Sequence, residues 1–149
     1  MYVQYIIRNE SDKPLKAKFA VESNLSDISF CSTQKSGFSL ETVDNGEVLN
    51  LDTEKSTQDM NKKGKLNNVQ VVRLSDKPNG ISFVFEPNEK CSFCMNPLKF
   101  NRPGFNSEII EPVNLTYASS FFWDIDIEPG RETEKSINFT IIPVKKIKS

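Results

Sequence analysis

The chain has 149 residues, 37% of them hydrophobic, which is enough for one domain with a single substantial core. Its 19 basic and 20 acidic residues leave a net charge of −1, which argues against nucleic acid or an anionic membrane as the main partner, because both attract a cationic surface. The absence of histidine excludes Ser-His-Asp and Cys-His catalysis and metal sites built on imidazole.

The cysteine count and the lack of a leader indicate the compartment. No charged and apolar leader opens the chain, and no apolar run approaches the roughly 20 residues that span a bilayer. The three cysteines, Cys31, Cys91 and Cys94, are odd in number, which favours a reducing environment. We therefore expect a cytoplasmic protein.

The first residues predict two strands. Residues 3–8 are rich in β-branched and aromatic side chains, and residues 9–14 form a polar turn cluster. Apolar and polar side chains then alternate from Leu15 to Glu22, as in a strand with one face in water. We predict that the two strands form a hairpin.

The same patterns predict further strands along the chain, at residues 27–31, 38–42, 47–51, 69–74, 81–86, 90–95, 108–117, 119–128 and 137–142. The stretch 69–96 is predicted to be a three-stranded antiparallel meander. We predict a long surface loop at 52–68 and an irregular connection at 96–106. No substantial helix is predicted, so the expected fold is all-β, an antiparallel β-sandwich or a barrel.

The strand at 119–128 is the most informative one. The single tryptophan, Trp123, shares a face with other apolar residues, whereas Asp124 and Asp126 fall on the opposite face. Pro129 and Gly130 supply a turn that ends the strand. We predict that Trp123 belongs to the core.

Two pairs of residues could carry chemistry. Asp124 and Asp126 would lie about 7 Å apart on one strand face, within the range of an inverting glycosidase pair. Nothing nearby in the sequence would raise the pKa of either carboxyl group, so we expect a solvated strand face. Cys91 and Cys94 have C-x-x-C spacing, but in a strand they point to opposite faces, so we expect two separate thiols.

An ordered set of motifs resembles the C-terminal β-sandwich domain of α-amylase and 4-α-glucanotransferase enzymes of glycoside hydrolase family fifty-seven. The resemblance covers nearly the whole chain, and the segment 37–66 matches least. The motifs are Tyr5-Ile6-Ile7-Arg8-Asn9-Glu10-Ser11-Asp12-Lys13-Pro14-Leu15, Phe19-Ala20-Val21-Glu22-Ser23-Asn24-Leu25-Ser26, Val72-Arg73-Leu74-Ser75-Asp76, Asn96-Pro97-Leu98, Gly104-Phe105 and residues 123–130.

The resemblance implies a non-catalytic domain. In such enzymes the catalytic carboxylates belong to an N-terminal (β/α) barrel, and nothing in this chain corresponds to it. We therefore expect residues 1–149 to be a single β-sandwich domain of the type resembling galactose mutarotase, forming the C-terminal part of a longer enzyme. The expected partners are the catalytic barrel of the same parent chain and α-glucan. No cofactor, metal or catalytic residue is expected.

Two alternatives remain open. A free-standing carbohydrate-binding module would use polar residues near loop aromatics, namely Glu22, Asn24, Arg73 and Asp76. A plain protein-interaction β-sandwich would instead carry a large apolar surface patch. For Glu22 we expect a structural hydrogen bond, to neighbouring backbone or to Arg73.

Overall fold

The computed structural model describes residues 1–26, 38–44, 47–51, 65–76, 79–103 and 110–145, and these residues form strands and turns without a helix. The strands are β1 (Tyr2–Arg8), β2 (Leu15–Ser26), β3 (Phe38–Asp44), β4 (Glu47–Leu51), β5 (Leu66–Val69), β6 (Val72–Asp76), β7 (Ile81–Pro87), β8 (Cys91–Pro103), β9 (Ile110–Ile127) and β10 (Glu132–Pro143). The predicted all-β class is confirmed.

Two antiparallel sheets pack face to face. The six-stranded sheet A has the order β1-β10-β7-β6-β3-β4, and the four-stranded sheet B has the order β2-β9-β8-β5. Aromatic rings meet between the sheets, where the centroids of Phe85 in β7 and Phe121 in β9 lie 5.3 Å apart. This arrangement is the predicted β-sandwich.

The core follows from strand alternation, because each strand turns every second side chain toward the other sheet. Trp123 is 3% exposed, and its ring lies 6.1 Å from that of Phe19, so its prediction as a core residue is confirmed. The other buried members of this cluster are Leu66, Val69, Val72, Leu74, Phe85, Cys91, Phe93, Met95, Phe121, Ile125, Ile127 and Ile137.

The predicted hairpin of the first two strands is wrong. β1 pairs with β10 in sheet A, whereas β2 pairs with β9 in sheet B. The two strands face each other across the core, with the rings of Tyr5 and Phe19 in edge contact at 5.4 Å. Each strand has one apolar face, and burying these faces against each other requires the chain to change sheets at residues 9–14.

Asn9 makes this change of sheet possible. Its side chain is buried and donates to the carbonyl oxygens of Lys13 at 2.7 Å and Ile127 at 2.8 Å, and its Oδ1 accepts from the backbone N–H and hydroxyl of Ser11. The backbone N–H of Asn9 donates to the Arg131 carbonyl, and its own carbonyl accepts from Gly130. All of its polar groups therefore have partners, as burial requires.

The predicted meander at 69–96 is only partly right. β6 and β7 pair antiparallel as expected, but β8 leaves them and pairs with β9 and β5 in sheet B. The apolar face of β8, which includes Phe93 and Met95, is thereby buried from the other side of the core. The turn between β7 and β8 is fixed to β10, because Asn88 exchanges hydrogen bonds with the backbone of Ser136 at 2.9 and 3.0 Å.

A buried ion pair lies at the same turn. The Lys135 side chain is 8% exposed, and its ammonium contacts the half-exposed carboxylate of Glu89. The pair anchors the turn that carries the chain from sheet A to sheet B.

Several strand limits differ from the predictions. Residues 96–103 are part of β8 and not an irregular connection, and residues 66–69 form β5, within and just beyond the predicted loop at 52–68. The tryptophan strand and the strand predicted before it form one strand, β9, of 18 residues. A turn follows in which Arg131 donates to the Glu128 carbonyl at 3.0 Å and Gly130 has φ 69°, the geometry of a type II turn. The strand predicted at 27–31 lies outside the described residues.

Candidate functional site

The four predicted sugar-binding residues do not form one cluster. Glu22 and Asn24 are exposed on the outer face of β2, in sheet B. Arg73 lies between two buried residues of β6, so it points to the outer face of sheet A. Asp76 ends β6, where its backbone pairs with Ile81. The structure therefore brings together only Glu22 and Asn24.

The register of sheet B places other polar residues beside this pair. Glu22 lies opposite Ser120 of β9, and Ser120 lies opposite Cys94 of β8. In the adjacent row, Asn24 and Asn96 flank the central strand in the same way. We call the five residues Glu22, Asn24, Cys94, Asn96 and Ser120 the polar face.

Hydrogen bonds orient the side chains of the polar face. The amide of Asn24 donates to Glu22 Oε1 at 3.2 Å, and the Ser120 hydroxyl donates to Glu22 Oε2 at 3.4 Å. The amide of Asn96 donates to Cys94 Sγ at 3.7 Å. The expected bond from Glu22 to backbone or Arg73 is therefore replaced by bonds to side chains of its own sheet.

Small, buried residues form the floor of the polar face. Ala118 and Ser120 are the small residues of the central strand, 4% and 6% exposed, so the larger side chains on β2 and β8 stand on either side of them. The partly buried Phe122 forms the next row on the same face. From strand spacing, the polar face measures about 10 Å across by 7 Å along the strands. This is the size of one or two sugar rings.

The sequence contained no signal for this cluster. Ser120 and Phe122 come from a strand whose pairing partners were not predicted. Asn96 was predicted to begin an irregular connection after a strand whose predicted partner, the strand at 81–86, was wrong. These residues could have been grouped from the sequence only if the pairing register of β8 with β9 had been known.

Asp124 and Asp126 form ion pairs with lysines of the neighbouring strand. Lys16 Nζ lies 3.1 Å from Asp126, and Lys18 Nζ lies 2.5 Å from Asp124. The hydrogen bond from Lys18, and then its charge, lower the pKa of Asp124. A general acid needs a raised pKa, so Asp124 is unsuited to that role in a glycosidase pair. All four side chains are exposed, and such pairs contribute little stability.

The two described thiols are separate, as predicted. Cys91 points into the core and Cys94 to the outer face, and neither forms a disulfide. Burial raises the pKa of Cys91 to about 12, with a smaller contribution from the charge of Glu89, and burial also raises the pKa of Cys94. Both thiols are therefore protonated at neutral pH and poor nucleophiles. Cys31 lies outside the described residues.

The described residues contain neither a metal-binding cluster nor a membrane-spanning helix. No group of three or more acidic or cysteine side chains in this part of the chain could hold a metal ion. No helix among the residues placed by the structure has the length and apolar character needed to cross a bilayer.

Comparison with known proteins gives no family. No protein-family model matches the sequence, and no curated protein matches it. The resemblance to the glycoside hydrolase domain therefore rests on the ordered motifs alone.

Proposed function

We propose that the protein is a non-catalytic accessory β-sandwich domain of an α-glucan-processing enzyme, and that its polar face contacts the glucan. The observation that supports this most is the group of carboxylate, amide and hydroxyl side chains that the strand register places together beside Phe122 on sheet B. The catalytic barrel of the same parent chain would supply the reaction.

The chemistry of the polar face suits a pyranose ring. A sugar offers hydroxyl groups that both donate and accept hydrogen bonds, and an apolar C–H face that packs on aromatic rings. The Glu22 carboxylate is an acceptor, and the amides of Asn24 and Asn96 are both donors and acceptors. The exposed part of the Phe122 ring provides the apolar contact.

The ionisable groups near this face favour binding over catalysis. The lowered pKa of Asp124 keeps that carboxyl ionised, and the raised pKa of Cys94 keeps that thiol protonated. An ionised Asp124 has no proton to donate as a general acid, and a protonated Cys94 is a poor nucleophile, so neither group is suited to cleaving a glycan.

Affinity electrophoresis through gels containing amylose or glycogen tests the proposal. We expect the wild-type protein to be retarded, and Asn96→Ala and Phe122→Ala to weaken binding about tenfold each, since each removes one hydrogen-bonding or stacking group. Asn138→Ala is the matched control, because Asn138 is exposed on sheet A and bonded to Glu86 at 3.0 Å.

Unretarded migration of the wild type in both polysaccharides would contradict glucan binding. Equal retardation of all variants would place the binding surface elsewhere. Each variant is first checked for an unchanged melting temperature, so that loss of the fold is not mistaken for loss of contacts.

A second candidate, a protein-interaction module, is favoured by one specific observation. The edge strand β1 of sheet A exposes large apolar side chains, including Tyr2 and Ile6.

A further inference from the structure

One edge of sheet A and one edge of sheet B lie together on the same side of the sandwich. Among the described strands, β1 is one of the two edge strands of sheet A, and β2 is one of the two edge strands of sheet B. The two strands lie one above the other, since the Tyr5 ring of β1 contacts the Phe19 ring of β2. We call this side of the molecule the open side.

The backbone of β1 presents hydrogen-bonding groups to the open side. The amino group of Met1 donates to the Phe139 carbonyl at 2.6 Å, and the Phe139 N–H donates back at 2.7 Å. In an antiparallel pair such bonded positions alternate, so the odd residues of β1 bond to β10. The even residues Tyr2, Gln4, Ile6 and Arg8 therefore direct their N–H and C=O groups outward.

Little in the sequence of β1 protects its exposed edge. The strand has no proline and only one charged side chain among its seven residues, and Tyr2 and Ile6, on the outer face of sheet A, are 60% and 64% exposed. A cleft of about 180 Å³ opens between the sheets here, lined mainly by apolar residues of β1, β2, β7, β9 and β10, with Glu22 at its rim. Exposed strands of this kind are usually protected by charge or covered by a partner.

We propose that the open side binds a second copy of this chain through a twofold axis that passes beside Tyr5 and Phe19. Tyr5 is the central residue of β1, so antiparallel pairing of β1 with its copy places Gln4 opposite Ile6 and Tyr2 opposite Arg8. These even positions carry the outward backbone groups, which then bond across the axis.

Charge complementarity in β2 selects this partner. Because Phe19 lies against Tyr5, the same axis pairs β2 with its copy around Phe19. Antiparallel pairing around that residue sets Lys16 opposite Glu22 of the second copy, and the symmetry forms this pair twice. Lys18 then lies opposite the uncharged Ala20. The charges of the edge strand therefore match those of a second copy in this register.

The dimer would pair the outward backbone groups of β1 and cover the cleft between the sheets. The two sheets would continue into sheets of twelve and eight strands, and both copies of the cleft would be covered. The inward residues Val3, Tyr5 and Val21, which are half-buried in the single chain, would become part of a common core.

The mass of the protein in solution tests the proposal first. Sedimentation velocity over a range from about 1 to 100 µM should show a dimer of twice 16.9 kDa, with the dissociation constant in or below that range. A particle of 16.9 kDa at every concentration would overturn the proposal and leave the open side for the catalytic barrel or another protein.

Charge reversal tests the register. Lys16→Glu and Glu22→Lys each turn both intermolecular pairs into like charges, so each is expected to raise the dissociation constant about tenfold. The double variant restores opposite charges and should return the constant to near the wild-type value. Only antiparallel pairing around Phe19 gives this rescue.

The matched control is Lys18→Glu. It breaks an exposed ion pair within the chain, as Lys16→Glu does, but its charge does not face a charge of the second copy. The control should therefore dimerise like the wild type. Dimers that are unaffected by either single reversal, or that are lost without rescue in the double variant, would refute this interface.

Discussion

Replacing Asn9 with alanine removes four side-chain hydrogen bonds from the point where the chain passes between the sheets. The two bonds from its amide, to Lys13 and Ile127, are each worth a net of about 1 kcal/mol, and the Ile127 carbonyl left without a partner adds about 1 kcal/mol. The bonds to Ser11 add little, because Ser11 is exposed and can turn to water. The expected loss of unfolding free energy is about 3 kcal/mol.

Thermal and urea unfolding measure this loss. For a chain of this size, about 3 kcal/mol corresponds to a fall in melting temperature of roughly 9 °C. Asn138→Ala is the matched control: it removes one exposed hydrogen bond and should cost under about 0.5 kcal/mol. Asn9→Asp keeps the shape and the acceptor oxygens but loses both amide donors, and it places a carboxylate against two carbonyl oxygens. It should therefore destabilise at least as much as alanine. A loss below about 1 kcal/mol in either Asn9 variant would refute the reasoning.

Three further predictions concern ionisable groups. With a pKa of about 12, only about 10⁻⁴ of the Cys91 thiol is ionised at pH 8, so peptide mapping after iodoacetamide treatment should find Cys91 alkylated only on unfolding and Cys94 alkylated earlier. Glu89→Gln leaves the buried ammonium of Lys135 without its counter-charge and should cost about 2 kcal/mol in urea unfolding. Lys135→Met should cost less, because it removes the buried charge and leaves only the half-exposed Glu89 carboxylate, which water can solvate. The pKa of Asp124 is lowered in the folded protein, so its pairing with Lys18 stabilises the fold at pH values above the ordinary carboxyl pKa. This stabilisation is lost as the pH falls through the folded-state pKa of Asp124. An NMR titration should therefore find a higher pKa for Asp124 when Lys18 is replaced by a neutral residue.

The alternation of side chains was sufficient to predict most strands and the core, but not which strands pair. It placed Trp123 inside and its neighbouring aspartates outside, because the period of two is a local property of the backbone. The hairpin of β1 and β2 was predicted wrongly because alternation is the same whether two consecutive strands pair in one sheet or face each other across a core.

The candidate site could not be predicted in full, because its residues come together only through strand pairing. Glu22 and Asn24 were predicted as site residues, but their neighbours Ser120 and Asn96 come from strands far along the chain. The ion pairs of Lys16 and Lys18 arise from the same register. A residue's neighbours across a sheet follow from long-range pairing, which a single sequence does not specify.

The pairing of β1 with β10 has a consequence for synthesis on the ribosome. Met1 bonds to Phe139, 138 positions later, so sheet A cannot be completed until the last strand has emerged. At about 5–20 residues per second, β1 waits roughly ten seconds with its apolar side chains uncovered. Pairs this distant in sequence also close slowly during refolding. A nascent chain stalled before β10 should therefore recruit chaperones through Tyr2 and Ile6, and release them once β10 is translated.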